Sequence, residues 1–513
     1  MQTFGIVNLD ISDFLQSIPF HPLDWAILIF YFTSVLGVGF YWSRREGDAE
    51  GLLVGGRAVP WYAVLISLVA TEVSAVTFLG TPGAGYNGNF NYIQFGIGSI
   101  LGRIFVALLF IRAYYSNKYF SIYEFLSDRF GPQTKYTAVL YFLVTRLMAS
   151  GVRLLIASLG VSVILGIRLD LCITLFTVIA ILYTGSGGIR AVIYTDMIQA
   201  FAFLAAGLCT CGFIIYSIGW DTIVQVGFEN SKFEIFRLTP DIDSENNPSW
   251  IDWFKDPNIL IVAVLNGFLM TSAALGTDHD LSQRILTAKS KMQASISMIL
   301  SGFVSIPIAA FFLFIGTGLF AYFASNPEFS LPVIEGSKQV NSDKIFPYFI
   351  REFLPFGLKG IALMGVVAAA MSSLDSAMAA LGASVVAIIY QKEKNSDSGK
   401  ERDFMFVTRL FTVLFGIILG VFAYSIRDAS ELLWFGFKIV SLTYGGLLGV
   451  FILATLSNRG SDKGNVVAMI TSTAIVGILF YYIKTDQFNI AWSWLIVIGT
   501  TLTVSIGALF NEN

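Results

Sequence analysis

Three serines and an aspartate close a long run of small and apolar residues at 357–376. The run is long enough to cross a bilayer, and it ends in Ser372, Ser373, Asp375 and Ser376. Hydroxyl and carboxylate groups are costly at membrane depth unless they face protein, water or an ion. Ser372 and Ser376 lie four residues apart, on one helical face. Because oxygen clusters suit hard cations, the sequence predicts a sodium site, although serines at a helix contact can also simply allow close packing.

Charged side chains interrupt other apolar segments and are candidate solute contacts. Glu72 lies in a polar patch with Ser74 and Thr77, whereas Arg153 and Lys438 each stand within an apolar run. Ionisable residues at such positions are functional candidates, and the guanidinium fork suits a carboxylate. These charges favour a small organic anion or zwitterion over a neutral sugar. Each base could instead be in a structural ion pair, and Arg153 could also extend to the membrane interface.

The composition is that of a polytopic membrane protein. Of 513 residues, 55% are hydrophobic and only 13% charged, with a net charge of −3, and the mean hydropathy is +0.71. This net charge does not favour binding to nucleic acid, which requires a basic surface. The two histidines have no metal-ligand spacing, and no nucleotide loop or nucleophile elbow is visible. We therefore expect neither an enzyme nor an organic cofactor, and partners limited to a solute, sodium and lipid.

About thirteen apolar segments of membrane-spanning length are predicted, as one transmembrane domain over 1–510. They lie near 23–43, 61–86, 92–114, 136–166, 170–186, 191–217, 258–281, 292–323, 357–390, 404–426, 431–456, 464–483 and 490–510. Lys and Arg are concentrated in alternate loops, beginning after the first segment, so the N-terminus is expected outside and the C-terminus in the cytoplasm. The outside loops carry no Asn-X-Ser/Thr acceptor, which suits a bacterial inner membrane.

Two of these segments contain polar and glycine-rich interruptions. The second has a polar patch at its middle and Gly and Pro at its end, and the seventh, over 266–284, is again small and polar at mid-depth. Five segments separate their starts. Because paired broken helices in two halves of a transporter mark its central site, the sequence predicts a carrier with a site at these two breaks.

Several blocks of sequence resemble the sodium/solute symporter family over about 25–480. They are 55–64, 123–130, 183–199, the pair Gln283 and Arg284 before 288–290, and the serine cluster. The resemblance implies an all-α, LeuT-type fold of five helices and their inverted copy, with one extra helix before and two after. The first repeat would then cover 61–217 and the second 258–456, with 23–43 and 464–510 peripheral.

The resemblance also implies ion ligands. The conserved sodium site maps onto the backbone carbonyls of Ala70, Val73 and Ala369 and the hydroxyls of Ser372 and Ser373. In some members a second ion lies near a position that corresponds to Asp196. The candidate ligands of a second ion in this chain are Asp196, Ser372, Asp375 and Ser376. Asp375 stands where a hydroxyl residue is more usual, so it could strengthen cation binding, accept a proton or form a salt bridge.

The solute site departs from known members of the family. The aromatic-amide gate of the sugar carriers is absent, because Thr271, Ala274 and Leu275 stand at its positions. The arginine that holds the carboxylate in sialic-acid carriers maps onto Ala149, one turn before Arg153. These differences argue against a close relationship to the galactose carriers, while Thr271 stays a candidate solute contact.

The predicted function is sodium-coupled import of a small polar solute by alternating access. The solute is expected to be a carboxylate, a sugar acid like sialic acid, or an amino acid. The alternatives are symport of a neutral sugar or polyol, or an uncoupled facilitator or channel. A channel should show a repeated filter loop or a ring of like charges, and neither is visible. The protein is expected to work as a monomer.

Overall fold

Apolar helices follow one another along the chain. The computed structural model describes residues 20–43, 51, 54–117, 119, 121–184, 188–240, 249, 251–334, 336–390 and 398–510. The helices in this part, numbered in chain order, are α1 (Pro22–Ser43), α2 (Trp61–Glu72), α3 (Val76–Asn87), α4 (Tyr92–Tyr114), α5 (Ile122–Arg129), α6 (Pro132–Leu165), α7 (Leu169–Thr184), α8 (Ile189–Ile218), α9 (Trp220–Glu229), α10 (Asp252–Lys255), α11 (Leu260–Thr277), α12 (His279–Leu286), α13 (Lys291–Ser325), α14 (Ser342–Phe353), α15 (Leu358–Tyr390), α16 (Ser398–Ser425), α17 (Leu432–Leu456), α18 (Asp462–Lys484) and α19 (Trp494–Ala508).

The length and apolar composition of these helices identify a multi-pass membrane protein. Within the described ranges, ten helices are long and apolar enough to span a bilayer, and the bent pair α2–α3 makes up to eleven. The helices α7 and α19 are apolar but shorter. Every predicted segment coincides with one of these elements, so the positions of the segments are confirmed. The exact count of thirteen spans stays a prediction.

The helix that carries the serine cluster lies at the centre of the bundle. In α15, 89% of the most apolar stretch is buried, against 22% in α1. The carboxylate of Asp24 on α1 accepts hydrogen bonds from the backbone N–H groups of Gly357 (2.7 Å) and Gly360 (2.8 Å). These N–H groups at the start of a helix have no partner inside the helix. Asp24 therefore anchors the start of α15 to the first helix.

The second predicted segment is broken where the sequence indicates. α2 ends at Glu72, Val73 has the non-helical angles φ −78° and ψ 76°, and α3 begins at Val76 with a π-helical turn. The two halves meet at a bend of 56°. A break of this kind frees backbone carbonyls from helical hydrogen bonds, so they can bind an ion.

The seventh predicted segment is broken at its end, not at mid-depth. α11 runs without interruption to Thr277, and the chain turns at Asp278 before α12. The hydroxyls of Ser272 and Thr277 bond to carbonyls of their own helix, so the polar residues do not open it. The break falls at Asp278 because that side chain caps α12, accepting a hydrogen bond from the N–H of Asp280 at 3.0 Å. The expected mid-depth break is therefore wrong.

Glycines let α4 and α11 pack backbone against backbone. A Cβ at Gly98 would overlap the carbonyl of Val264, and a Cβ at Gly267 would overlap the carbonyl of Phe95. Small residues at helix contacts permit this close approach in membranes. The contact holds the polar side of α11 against the α4 residues that line the central cavity described below.

Candidate functional site

Carbonyls at the end of α2 meet the serine hydroxyls of α15. Ser372 Oγ lies 3.2 Å from the carbonyl oxygen of Ala70 and 3.3 Å from that of Ala369. Ser373 Oγ lies 3.4 Å from the carbonyl oxygen of Thr71. All of these residues are buried. Oxygens that share a hard cation about 2.4 Å away, at right angles, lie roughly 3.4 Å apart, so these separations fit an ion site.

Four of the five predicted ligands of this ion site come together. They are Ala70, Ala369, Ser372 and Ser373. Val73 lies at the break itself, and within the described residues no hydrogen bond joins it to the serines. The carbonyl of Thr71 is a further oxygen of the cluster that the sequence reasoning missed. The exact path of a broken helix decides which carbonyl faces α15, and a sequence does not give that path.

The candidates for a second ion lie one turn further along α15. Ser376 Oγ is 3.3 Å from Asp280 Oδ2, and Asp375 Oδ1 accepts a hydrogen bond from the N–H of Ser376 at 2.7 Å. Asp375 is buried and has no salt bridge within the described ranges. Asp196 is fully buried, and its Oδ2 bonds to Ser67 and lies 3.1 Å from Arg284 Nη2. Its Oδ1 has no partner.

A buried cluster of charges surrounds these candidates. Arg284 joins Asp280 (2.6 Å) to Asp196, and Arg146 contacts Asp280 and lies 3.6 Å from Asp278. All five side chains are at most 1% exposed. We call these five residues the charge cluster. It links α2, α6, α8, α12 and α15, because Ser67 and Ser376 also bond to it.

Sequence reasoning did not identify the charge cluster as a site. It noted Arg284 only as part of a family block, and it assigned no role to Asp278 or Asp280. The signal was present, since three charged residues within seven positions at the end of an apolar segment require partners. Which acid pairs with which base depends on contacts between residues up to 134 positions apart.

A cavity of about 240 Å³ adjoins the ion site at the break between α2 and α3. We call it the central cavity. Five of the six predicted solute contacts line it: Glu72, Ser74, Thr77, Arg153 and Thr271. Most of its remaining lining is apolar or aromatic and comes from α4, α6, α11, α13 and α17. Such a mixture of apolar walls and a few polar groups is typical of a small-molecule site.

Arg103 is the main residue of the central cavity that the sequence reasoning missed. It is buried on α4, contacts Glu72 and Ser99, and donates from Nε to Ser301 Oγ at 3.1 Å. Ser305 Oγ donates to Glu72 Oε2 at 3.1 Å. The position of Arg103 at the middle of the apolar segment 92–114 was the available signal. The ion pair of Arg103 with Glu72 is neutral overall, although Glu72 Oε1 has no hydrogen-bond partner.

Arg153 faces the same cavity without an acidic partner. It lines the cavity, its Nη1 is buried, and within the described residues it forms no salt bridge and no side-chain hydrogen bond. Glu72, the acid of the same cavity, pairs with Arg103 instead. The central cavity therefore offers one unpaired donor at Arg153 and one unpaired acceptor at Glu72.

Lys438, the sixth predicted contact, does not line the central cavity. It lines a second cavity of about 400 Å³, between the end of α3 and the starts of α14 and α17. Its role as a solute contact stays a prediction. Lys438 and Trp434, four residues apart, share one face of α17, whereas Gly436, Phe437 and Val440 on another face line the central cavity.

Comparisons with known proteins agree with this architecture. Residues 52–472 match the model of the sodium:solute symporter family. Similar relatives are the sodium/sialic acid symporter SiaT of Proteus mirabilis (28% identical, 96% of this chain and 97% of the relative) and the sodium/glucose cotransporter of Vibrio parahaemolyticus (26% identical, 94% and 91%).

Solved structures agree in fold. An outward-open sodium-coupled sialic acid symporter is 25% identical with a TM-score of 0.81, covering 95% of this chain and 97% of its own. The nucleobase-cation symporter Mhp1 is 12% identical with a TM-score of 0.56, covering 90% and 94%, and it shares the fold alone. The all-helical, LeuT-type fold predicted from the sequence is confirmed. The chain belongs to the sodium:solute symporter family.

Proposed function

We propose that this protein is a sodium-coupled symporter that imports a small organic anion, of the sugar-acid class, by alternating access. The observation that carries the proposal is the junction at the end of α2. Ala70 and Thr71 present carbonyls to the serines of α15, and the next residue, Glu72, lines the central cavity. An ion that fixes this break also fixes one wall of the solute site, which makes the two affinities interdependent.

The first ion is assigned to the oxygens between α2 and α15. Ala70, Val73 and Ala369 would contribute carbonyls, and Ser372 and Ser373 would contribute hydroxyls. The buried oxygens and their separations of 3.2–3.4 Å support this assignment. The carbonyl of Thr71 is an additional candidate. Sodium would supply the charge that holds the break in the conformation that binds solute.

A second cation is assigned to Asp375, Ser376 and the free oxygen of Asp196. Four carboxylates lie here (Asp196, Asp278, Asp280 and Asp375), and within the described residues only Arg146 and Arg284 form salt bridges with them. When all six groups are ionised, two negative charges remain uncompensated. An uncompensated charge is costly inside a membrane, so a bound cation next to Asp375 would balance one of them.

The solute would bind between Arg153 and Glu72. Arg153 offers an unpaired donor for a carboxylate, and Glu72 Oε1 is an acceptor for a hydroxyl or amine. Ser74, Thr77 and Thr271 would add hydrogen bonds. Two similar relatives are sodium/sialic acid symporters, and sialic acid is a sugar acid. Glucose and myo-inositol cotransporters are also similar, and Arg153 is the feature that favours an acid over these neutral solutes.

The protein would lie in a bacterial inner membrane, with its N-terminus outside and its C-terminus in the cytoplasm. The distribution of Lys and Arg between alternate loops supports this orientation. The second cavity, which includes Pro257 and Asn258 at the end of the loop before α11, would then open to the outside. We propose that a single chain carries out transport, since the break, the ion oxygens and the central cavity all come from one chain.

Sodium is expected to stabilise the purified protein, whereas potassium and choline are not. Sodium at ten times its dissociation constant should add about 1.4 kcal/mol by mass action. Ser373→Ala removes one hydroxyl ligand and should weaken sodium affinity roughly fivefold, for a loss of about 1 kcal/mol. Thermal unfolding over a sodium titration at constant ionic strength measures both effects.

Ser217→Ala is the matched control for this titration. Ser217 Oγ bonds to the carbonyl of Phe213 on the exposed end of α8, so its loss should leave the sodium midpoint unchanged. If Ser373→Ala keeps the parental sodium midpoint, Ser373 is a packing residue. If potassium stabilises the parent as well as sodium does, the oxygen cluster is not a sodium site.

A further inference from the structure

Among the described residues, three charged side chains line the central cavity. They are Glu72 at the end of α2, Arg103 on α4 and Arg153 on α6. Most of the other lining residues are apolar or aromatic. Charges beside an apolar space are weakly screened, so they act on each other and on a solute more strongly than they would in water. The number and arrangement of these three charges therefore determine which charged solutes the cavity accepts.

Glu72 is held in the cavity wall through one of its two carboxylate oxygens. Its Oε2 accepts hydrogen bonds from Ser305 Oγ at 3.1 Å and from the guanidinium group of Arg103. Its Oε1 has no hydrogen-bond partner within the described residues. This free oxygen can accept a hydrogen bond from a hydroxyl or an amine of the solute, whereas it repels a second carboxylate.

Arg103 is fixed beside Glu72 by contacts with two further helices. Its Nε donates to Ser301 Oγ at 3.1 Å on α13, and its Nη1 contacts Ser99 on its own helix α4. A Cβ at Gly302 would lie 2.8 Å from Arg103 Cδ, so this glycine provides the room that the arginine needs. Because the guanidinium group is held in this way, its charge stays paired with Glu72 and is not free to bind the carboxylate of a solute.

The three ionised side chains give the cavity wall a net charge of +1, because two guanidinium groups face one carboxylate. Glu72 compensates Arg103, so Arg153 is the base that is left for an anion. One carboxylate of a solute makes the occupied cavity neutral. A second carboxylate would leave an uncompensated negative charge next to Glu72, and such a charge is costly away from water.

We propose that Glu72 is a specificity-determining residue, which together with Arg103 restricts the central cavity to monocarboxylate solutes and excludes dicarboxylates. This inference rests on the proposed anionic solute, whose carboxylate is held by Arg153. A protein selects one ligand by repelling its competitor as well as by contacting the accepted one. Neutralising Glu72 removes the repulsion and also frees Arg103. The same substitution therefore creates a place for a second carboxylate.

Equilibrium dialysis of the purified protein in sodium tests the proposal, with each sugar acid radiolabelled in turn. D-Gluconate and D-glucuronate each carry one carboxylate, whereas D-glucarate has the same six-carbon chain with a carboxylate at both ends. The parent is expected to bind a monoacid about tenfold or more tightly than glucarate, because like charges in an apolar site repel strongly. Glu72→Gln should reverse this preference, since glucarate can then pair with both Arg103 and Arg153.

A second variant covers the case in which Arg103 does not tolerate the loss of its acid. Combining Glu72→Gln with Arg103→Met removes both charges of the pair, so no buried base is left alone. This double variant should lose the preference for monoacids without gaining one for glucarate. Glu328→Gln is the matched control, since Glu328 is exposed after α13 and lines neither cavity. It should keep the parental preference.

Three results would overturn the proposed selection by Glu72 and leave the anionic solute intact. They are a parent that binds glucarate as tightly as a monoacid, a folded Glu72→Gln protein that gains no affinity for glucarate, and a double variant that keeps the parental preference. The sodium-dependent thermal shift shows whether each variant is folded. A parent that binds none of these acids, nor N-acetylneuraminate, in sodium overturns the anionic solute and this inference with it.

Discussion

Replacing Arg284 by methionine is expected to destabilise the protein by about 3–5 kcal/mol. Arg284 is fully buried and lies 3.1 Å from Asp196 and 2.6 Å from Asp280. Methionine fills similar space and leaves Asp196 buried without its base and Asp280 with Arg146 alone, which is the costly way to break a buried pair. The fraction of monodisperse protein and the thermal unfolding temperature measure the loss.

Two further variants make the Arg284 experiment specific. Arg168→Met removes an exposed arginine whose pair with Asp170 lies at the surface, and its effect should stay within about 0.5 kcal/mol. Adding Asp196→Asn to Arg284→Met removes the carboxylate left without a base and should recover part of the stability. If Arg284→Met unfolds at the same temperature as Arg168→Met, the charge cluster does not hold the helices together.

Replacing Arg153 by methionine is expected to weaken solute binding about tenfold or more while sodium affinity changes less than about twofold. The loss of one charge-assisted hydrogen bond sets the first figure. The second follows from position, because Arg153 lines the central cavity and contacts none of the oxygens assigned to the first ion. Competition binding with sugar acids, and sodium titration by thermal shift, give the two affinities separately.

Arg112→Met provides the matched control for Arg153. Arg112 is exposed at the end of α4 and lies outside both cavities, so neither affinity should change. An Arg153→Met protein that binds the native solute as tightly as the parent would rule out a carboxylate at this position. Glucose and myo-inositol would then be the solutes to test first, with Glu72 as their acceptor.

The sequence predicted well those features that depend only on residues close together in the chain. The apolar segments, the break after Glu72 and the serine cluster on α15 each depend on a short stretch of chain, and each lies where it was expected. The break at Asp278 was misplaced because hydroxyls at mid-depth can bond to their own helix, as Ser272 does. Polar composition alone does not distinguish these two cases.

The pairing of charges could not be read from the sequence. Glu72 pairs with Arg103 and Asp196 with Arg284, across 31 and 88 positions. These partners leave Arg153 as the unpaired base of the central cavity. The face of α17 that carries Lys438 was also not given by the sequence, because every face of this helix is apolar enough to pack. Phe437, the preceding residue, lines the central cavity, and Lys438 points about 100° away from it into the second cavity.

The most direct test of sodium-coupled symport is uptake into proteoliposomes under an inward sodium gradient, at a fixed membrane potential. Radiolabelled N-acetylneuraminate and glucuronate should each be tried as substrate. The account predicts that a sugar acid accumulates above its external concentration, and that the accumulation disappears when potassium replaces sodium at the same potential. Equal uptake in sodium and in sodium-free buffer would contradict coupling, and uptake of glucose but of neither acid would contradict the anionic solute.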